Sequence, residues 1–221
     1  MTKDFIAQVQ RDLTARGFDA GPADGIAGAR TGIAWRAFVA TLPAVADRPK
    51  PSAGASVDGL KRIILHWSAG THNVSALDRS HYHHAVAGDG SIVPGIRKPE
   101  DNISTTDGVY AAHCLNCNSG SIGIAMAAMA GATERPFSSG AYPITTPQLD
   151  AFCGLAARLA KQYGIPNTRA TILTHAEVEK TLGIPQRGKI DIMWLPGMTA
   201  MGDPIAVGDT IRAMIAAKSL T

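Results

Sequence analysis

Three short apolar runs constrain this chain more than any other feature: "RIILH" (62–66), "SIGIAMAAM" (121–129) and "TILTH" (171–175). The first and third are rich in β-branched residues, and all three are too short for a typical helix and continuous rather than alternating. That pattern suits strands covered on both faces, as in a parallel sheet. Between the first two, "HYHHAVAGDGSIVPG" (81–95) reads as two strands joined through Asp89-Gly90, a strong hairpin signal. Between the second and third, "TTPQLDAFCGLAARLAKQYG" (145–164) is the clearest helix. Thr146 is expected to cap it, with Pro147 at the first helical position. Leu149, Phe152, Ala156, Leu159 and Tyr163 line one face and Gly164 ends it. "DTIRAMIAAK" closes the chain as another helix. This order predicts an α/β fold, a mixed central β-sheet flanked by helices.

The first forty residues have a different texture. Phe5, Ile6, Val9 and Leu13 recur at helical spacing and Gly17 follows as a stop. "FDAGPADGIAGART" reads as a turn-bearing loop, and a second helix is expected from about Thr31, with Ile33, Ala34, Ala37 and Phe38 on its apolar face. So a small all-α module (1–42) precedes a Pro/Ala-rich linker (43–57) and a larger domain (58–221). The apolar fraction of 45% and charged fraction of 18% are ordinary for a globular chain. No apolar run approaches the ~20 residues a membrane span needs. Acids and amides in "MTKDFIAQVQRDL" argue against a cleavable signal, so synthesis into the cytoplasm is expected. A scattered net charge of +3 gives no reason to expect a nucleic-acid partner. A monomer is the favoured state.

Three cysteines are an odd count for a disulfide scaffold. Cys114 and Cys117 form a C-x-x-C without a second pair. Two small residues near a loop is the preferred reading, ahead of a local disulfide and then a redox motif. Cys153 falls on the apolar helix face. Of seven histidines, His66 and His175 share one context, the end of an apolar β-branched run. Strand ends are where an α/β sheet presents functional side chains. Catalytic zinc takes three protein ligands from His and Asp, Glu or Cys and leaves one position for water. His66, His175 and Asp191 would supply that set. In "QRGKIDIMW", read as strand-like, Lys189 would share a side with Asp191 and sit beside the metal.

Taken together, residues 62–197 resemble the zinc-dependent N-acetylmuramoyl-L-alanine amidases of type 2, the superfamily that also holds peptidoglycan recognition proteins. The likeness rests on "LHWSAG", "LTHAEV", "KID", the Tyr82-His83-His84 … Asp89-Gly90 … Gly95 hairpin, and His113 … Asn118 … Ser121-Ile122-Gly123-Ile124, all in the family's order. It implies one catalytic Zn2+ held by His66, His175 and Asp191. Tyr82 would assist the attacking water, Lys189 would stabilise the oxyanion, and His113 and Asn118 would lie along the substrate groove. The substrate would be peptidoglycan, cut between N-acetylmuramic acid and L-alanine. Gln10, Leu13, Gly17, Asp24-Gly25, Gly28, Thr31 and Phe38 resemble a peptidoglycan-binding module. Both together imply a phage-type endolysin that acts on the wall after release from the cytoplasm. The alternatives are a recognition protein that binds without cutting, a cytosolic amidase recycling wall fragments, and a plain α/β domain whose histidines cap strands. "DIMWLPG" departs from the family's Asp-Pro-Gly, and His84 replaces an aromatic after Tyr-His. The "HYHH" run suggests a solvated hairpin face, or less readily a second metal cluster. Trp67 and Trp194 are assigned to the core in preference to a sugar-stacking wall, and His72 to the surface.

Overall fold

The computed structural model describes residues 7, 10–11, 13–26, 28–41 and 59–219. The expected linker, and Phe5, Ile6 and Val9 of the first helix, lie outside the described residues.

Five strands form one sheet in the order β3-β2-β4-β1-β5. These are β1 (Arg62–Trp67), β2 (His84–Val86), β3 (Ile92–Pro94), β4 (Ser121–Met126) and β5 (Ile172–Thr174). All pairings are parallel except the β2–β3 hairpin, so the sheet is mixed, as the sequence predicts. The helices of this part are α2 (Ala76–His81), α3 (Thr146–Gln162), α4 (His175–Leu182) and α5 (Pro204–Lys218), and α1 (Ala29–Thr41) belongs to the N-terminal region.

Alternation along β1 sets the layout. Ile63, Leu65 and Trp67 join Ile122, Ile124, Met126 and Ile172 in the main core, which Phe152, Leu155, Leu159, Ile211 and Ile215 of α3 and α5 complete. Ile64 belongs instead to a small cluster with Cys114, Cys117, Leu173 and Val178. His66, two residues after Ile64, falls on that second side.

The α3 cap is Thr145 rather than Thr146: its side chain accepts from the Gln148 N–H, and Gln148 completes a capping box. Two helices were not expected. Ser75 and Asp78 form a capping box that opens α2, so His81 ends a helix instead of starting a strand. The His175 segment turns directly into α4, whose Glu177 carboxylate accepts from the Thr174 N–H at 2.8 Å. Buried Arg212 of α5 grips Glu177 at 2.7 and 3.0 Å and also donates to Ile172 O and Asp209. Gly208 leaves the room, since a Cβ there would meet the Glu177 carboxylate. This buried ion pair ties α4 to α5 and β5.

Near the N-terminus Gln10 is buried and acts as a hub. Its Nε2 lies 3.1 Å from Asp24 Oδ1, Ile26 O and Thr31 Oγ1, and its Oε1 accepts from Gly25 N–H at 3.0 Å. The Gln … Asp-Gly … Thr spacing therefore closes one hydrogen-bonded loop. The inward stripe of α1 is Thr31, Ala34 and Phe38, and Ile33 is 58% exposed. The Gln10–Thr31 contact turns the helix so that Ile33 points out.

Candidate metal centre

The β1–β5 register pairs Ile63, Ile64 and Leu65 with Ile172, Leu173 and Thr174. Its next step sets His66 beside His175, at the carboxyl ends of adjacent parallel strands. Asp191 arrives on a loop whose carbonyl accepts from the Ala176 N–H at 2.7 Å. The "KID" stretch is thus irregular rather than strand-like, because it is moored to the first turn of α4 and not to the sheet. One carboxylate oxygen, Asp191 Oδ2, lies 2.9 Å from His66 Nδ1 and 3.1 Å from His175 Nδ1. All three side chains are buried, and one ligand atom from each lies within 4.8 Å of the others. Two imidazole nitrogens and a carboxylate oxygen are the donor set that zinc takes in catalytic sites, so the residues fit the ion the sequence implies.

Burial pushes His66 down to about 4, against the upward pull of its hydrogen bond to Asp191. For Asp191 burial alone would raise the carboxyl, but the hydrogen bonds from His175 and His66 outweigh it and hold the group below the usual range. A neutral His66 imidazole facing an ionised carboxylate is in the protonation state a cation needs.

An open cleft of about 670 Å³ lies over this centre, lined among others by Tyr82, Lys189, Trp67, Tyr110 and Arg187. The Tyr82 ring lies 5.1 Å from that of His66. Burial, then the Asp191 and Asp78 carboxylates, raise its phenol far above the ordinary value. Lys189 is exposed at the cleft wall.

His113 and Asn118 also line the cleft, but both His113 ring nitrogens and Asn118 Oδ1 have partners within the protein. Asn118 Oδ1 accepts the backbone N–H groups of His113 (3.0 Å) and Cys114 (2.9 Å). The His113 ring lies against Gly123, where a Cβ would clash with it, and its Nδ1 is 3.2 Å from His66 Nε2. Burial, then His66 and His83, hold it well below the usual histidine value.

Sequence reading missed three buried partners. Gln186 Oε1 is 2.9 Å from His175 Nε2. Asn102 accepts from Ala111 N–H at 2.8 Å and from His83 Nε2 at 3.0 Å, and donates to the carbonyls of Ala111 and Asn118. Gly123 N–H donates to His83 Nδ1 at 2.9 Å. Only Gln186 carried a signal, its place at the head of "QRGKID".

The "HYHH" histidines disperse: His81 is exposed and bonds within α2, His83 is buried, and His84 lies near Arg158. Among the described residues the one group arranged for a metal is His66, His175 and Asp191. His72 is half-buried and donates to Pro143 O at 2.7 Å, because Gly88 lets its ring in. Cys114, Cys117 and Cys153 are free and buried. Trp194 is fully buried and Trp67 is 6% exposed, both in the main core.

Fold and site together define an α/β protein with a metal-competent His-His-Asp centre on the floor of an open cleft. The chain belongs to the type 2 N-acetylmuramoyl-L-alanine amidase family, whose model matches residues 57–191. No curated protein matches the sequence. Among solved structures, the Staphylococcus aureus hydrolase AmiA in complex with its ligand is 17% identical, with 79% of this chain and 80% of that one covered and a TM-score of 0.43. The Ph2119 endolysin from Thermus scotoductus MAT2119 bacteriophage Ph2119 is 17% identical, with 76% and 87% covered and a TM-score of 0.41. Drosophila peptidoglycan recognition protein SD is 21% identical, with 70% and 92% covered and a TM-score of 0.39.

Proposed function

We propose that this protein hydrolyses the amide bond between N-acetylmuramic acid and the L-alanine of the stem peptide in peptidoglycan, with one Zn2+ held by His66, His175 and Asp191. The convergence of two histidine Nδ1 atoms on one Asp191 oxygen, beneath an open cleft in a chain of the amidase family, carries this reading. When bound, zinc supplies Lewis acidity that brings the pKa of water to about 7 and polarises a carbonyl. The rest falls to the chain's own side chains. Lys189 offers an ammonium to the oxyanion that develops as the scissile carbonyl is attacked. Tyr82, kept protonated by burial, donates its hydroxyl to the attacking water or to that oxyanion and orients it. Trp67 and the Tyr82 ring border the cleft beside these groups.

We further assign the protein to the phage-type endolysins. Supporting this are the wall-binding resemblance of the N-terminal residues and the Gln10 hub that its motif positions build. Tethering to wall would raise the local substrate concentration.

Elemental analysis of wild type and Asp191→Ala, run beside digestion of purified sacculi, tests the enzyme reading. Near-stoichiometric zinc and free stem peptides from wild type, with both reduced in the variant, are expected. A wild type that cannot be loaded with zinc and releases nothing, yet pellets with sacculi, would make it a recognition protein. The endolysin assignment predicts that cells expressing the protein stay intact until their membrane is permeabilised, and then lyse.

A further inference from the structure

We propose that Cys114 and Cys117 form a redox site at the edge of the cleft, where hydrogen peroxide joins them in a reversible disulfide that slows wall cutting. The proposal deepens the function proposed above, and it rests on that reading for its activity readout alone.

A single turn builds the pair. Cys117 N–H donates to Cys114 O at 3.1 Å, and Asn116 takes a left-handed φ of 53° within the turn. Asn118 Oδ1 pins the entrance by accepting the N–H groups of His113 and Cys114. A turn closed by such a bond holds its first and fourth Cα atoms within about 7 Å, and a disulfide spans about 4.4–6.8 Å. Both sulfurs are free, and with Ile64, Leu173 and Val178 the two residues fill a small cluster apart from the main core.

The surroundings favour a thiolate on Cys117. The Cys114 thiol hydrogen-bonds it and holds it below the usual thiol value, against burial, with the Arg62 guanidinium and the Ser121 hydroxyl pulling the same way. Arg62 opens β1 on the side that Ile64 and His66 share, and its Nε is buried without a partner. Cys114 borders the cleft and gives peroxide its way in. Both cysteines are only 2% exposed, which suits an oxidant as small as peroxide and shuts out bulkier peptide disulfides. Cys153 is the internal contrast: it lies in the main core, where burial pushes its thiol up to about 12.

Oxidation takes two balanced steps. The Cys117 thiolate attacks one peroxide oxygen, the O–O bond breaks, and the departing hydroxide takes up the proton that the thiol shed. The Cys114 sulfur then attacks the sulfenic acid so formed. The S–S bond forms, the S–O bond breaks, and hydroxide leaves with the Cys114 proton as a second water.

Gln186 carries the effect to the metal centre. Reduced Cys114 donates to Gln186 Oε1 at 3.5 Å, Gln186 Nε2 donates to Leu115 O in the same turn at 2.9 Å, and Oε1 stands 2.9 Å from His175 Nε2. A disulfide removes the thiol hydrogen and turns the Cys114 sulfur toward Cys117, so Gln186 loses a donor beside His175. Disturbing a group that supports a ligand histidine typically costs about 10- to 100-fold in metal affinity or activity.

Peptide mapping of folded wild type before and after hydrogen peroxide, run beside digestion of sacculi, tests both halves. A Cys114–Cys117 link within one chain, with Cys153 still free and the link opened by dithiothreitol, is expected. Stem-peptide release should fall about 10-fold or more and return with the reductant. Cys117→Ser should cut like reduced wild type and keep its rate in peroxide. Thiols that stay free, take up oxygen without linking or join two chains overturn the redox site. A linked wild type that cuts at its full rate, or a Cys117→Ser protein that loses activity in peroxide as wild type does, overturns the control of cutting. Should the variant fail to fold, recovery of wild type with dithiothreitol decides. Untreated wild type that releases nothing defeats the proposed function, and the mapped link still decides the redox site.

Discussion

At the scale of single residues, chemistry and packing share very few atoms. Lys189 is exposed and makes no part of the core, so Lys189→Met should leave fold and zinc content intact. Release of stem peptides should fall about 100- to 1,000-fold, the usual consequence of losing one oxyanion donor. A parallel zinc analysis separates this from loss of the metal. Gly123 is the opposite case, a residue with no chemistry whose missing side chain makes room for His113. Gly123→Ala should cost about 1–3 kcal/mol in urea unfolding and displace the His113 ring, visible as shifted imidazole resonances. His66 and His175 could be nominated from residue type and strand-end context and Asp191 as the carboxylate of "KID", and the fold brings the three together. Asn102 and His83 could not. Their partners lie 9 to 40 positions away, and only the folded chain brings an isolated polar side chain to its acceptor.

Among the elements, the long amphipathic α3 was evident from periodicity and the buried strands from their continuous apolar runs, whereas α2 and α4 were not. With six and eight residues they are too short to show a helical period. The Ser75 … Asp78 capping box and the Thr174-x-x-Glu177 pattern, in which only the Glu177 carboxylate makes its cap bond, were the available signal. In α4 the capping carboxylate also pairs with Arg212, and both side chains are almost wholly buried. Arg212→Met should destabilise the fold by about 3–5 kcal/mol, because it strands a buried charge. The double variant Arg212→Met/Glu177→Leu should recover much of that loss. A urea double-mutant cycle measures the difference, and additive losses would show that the pair does not act as a unit.

For the molecule as a whole, the sheet and the order of its elements followed from the sequence, but the strand order and the two-sided division of the core needed coordinates. The buried histidines give the whole fold a pH dependence. Burial pushes His83 down to about 4, from an ordinary value near 6.5. Between those values the unfolded chain binds the proton and the folded chain does not. Stability contributed by His83 is therefore full above about pH 6.5, declines as pH falls, and levels off below about 4. The shift corresponds to about 3 kcal/mol. Urea unfolding of metal-free protein across this range should show the decline, and His83→Gln should flatten its share of it.

The alternation along β1 also bears on how such a protein could change over time. Ile63 and Leu65 serve the main core and Ile64 and His66 the opposite side, with Trp67 at the strand end reaching both core and cleft. Selection for heat resistance could therefore work on one face of a six-residue strand and selection for a different wall chemistry on the other. Libraries that randomise exposed positions of the loops around 110–118 and 184–190, with Cys114, Cys117, Asn118, Ile184, Gln186 and the site histidines kept, would then explore specificity on a scaffold whose main core lies elsewhere.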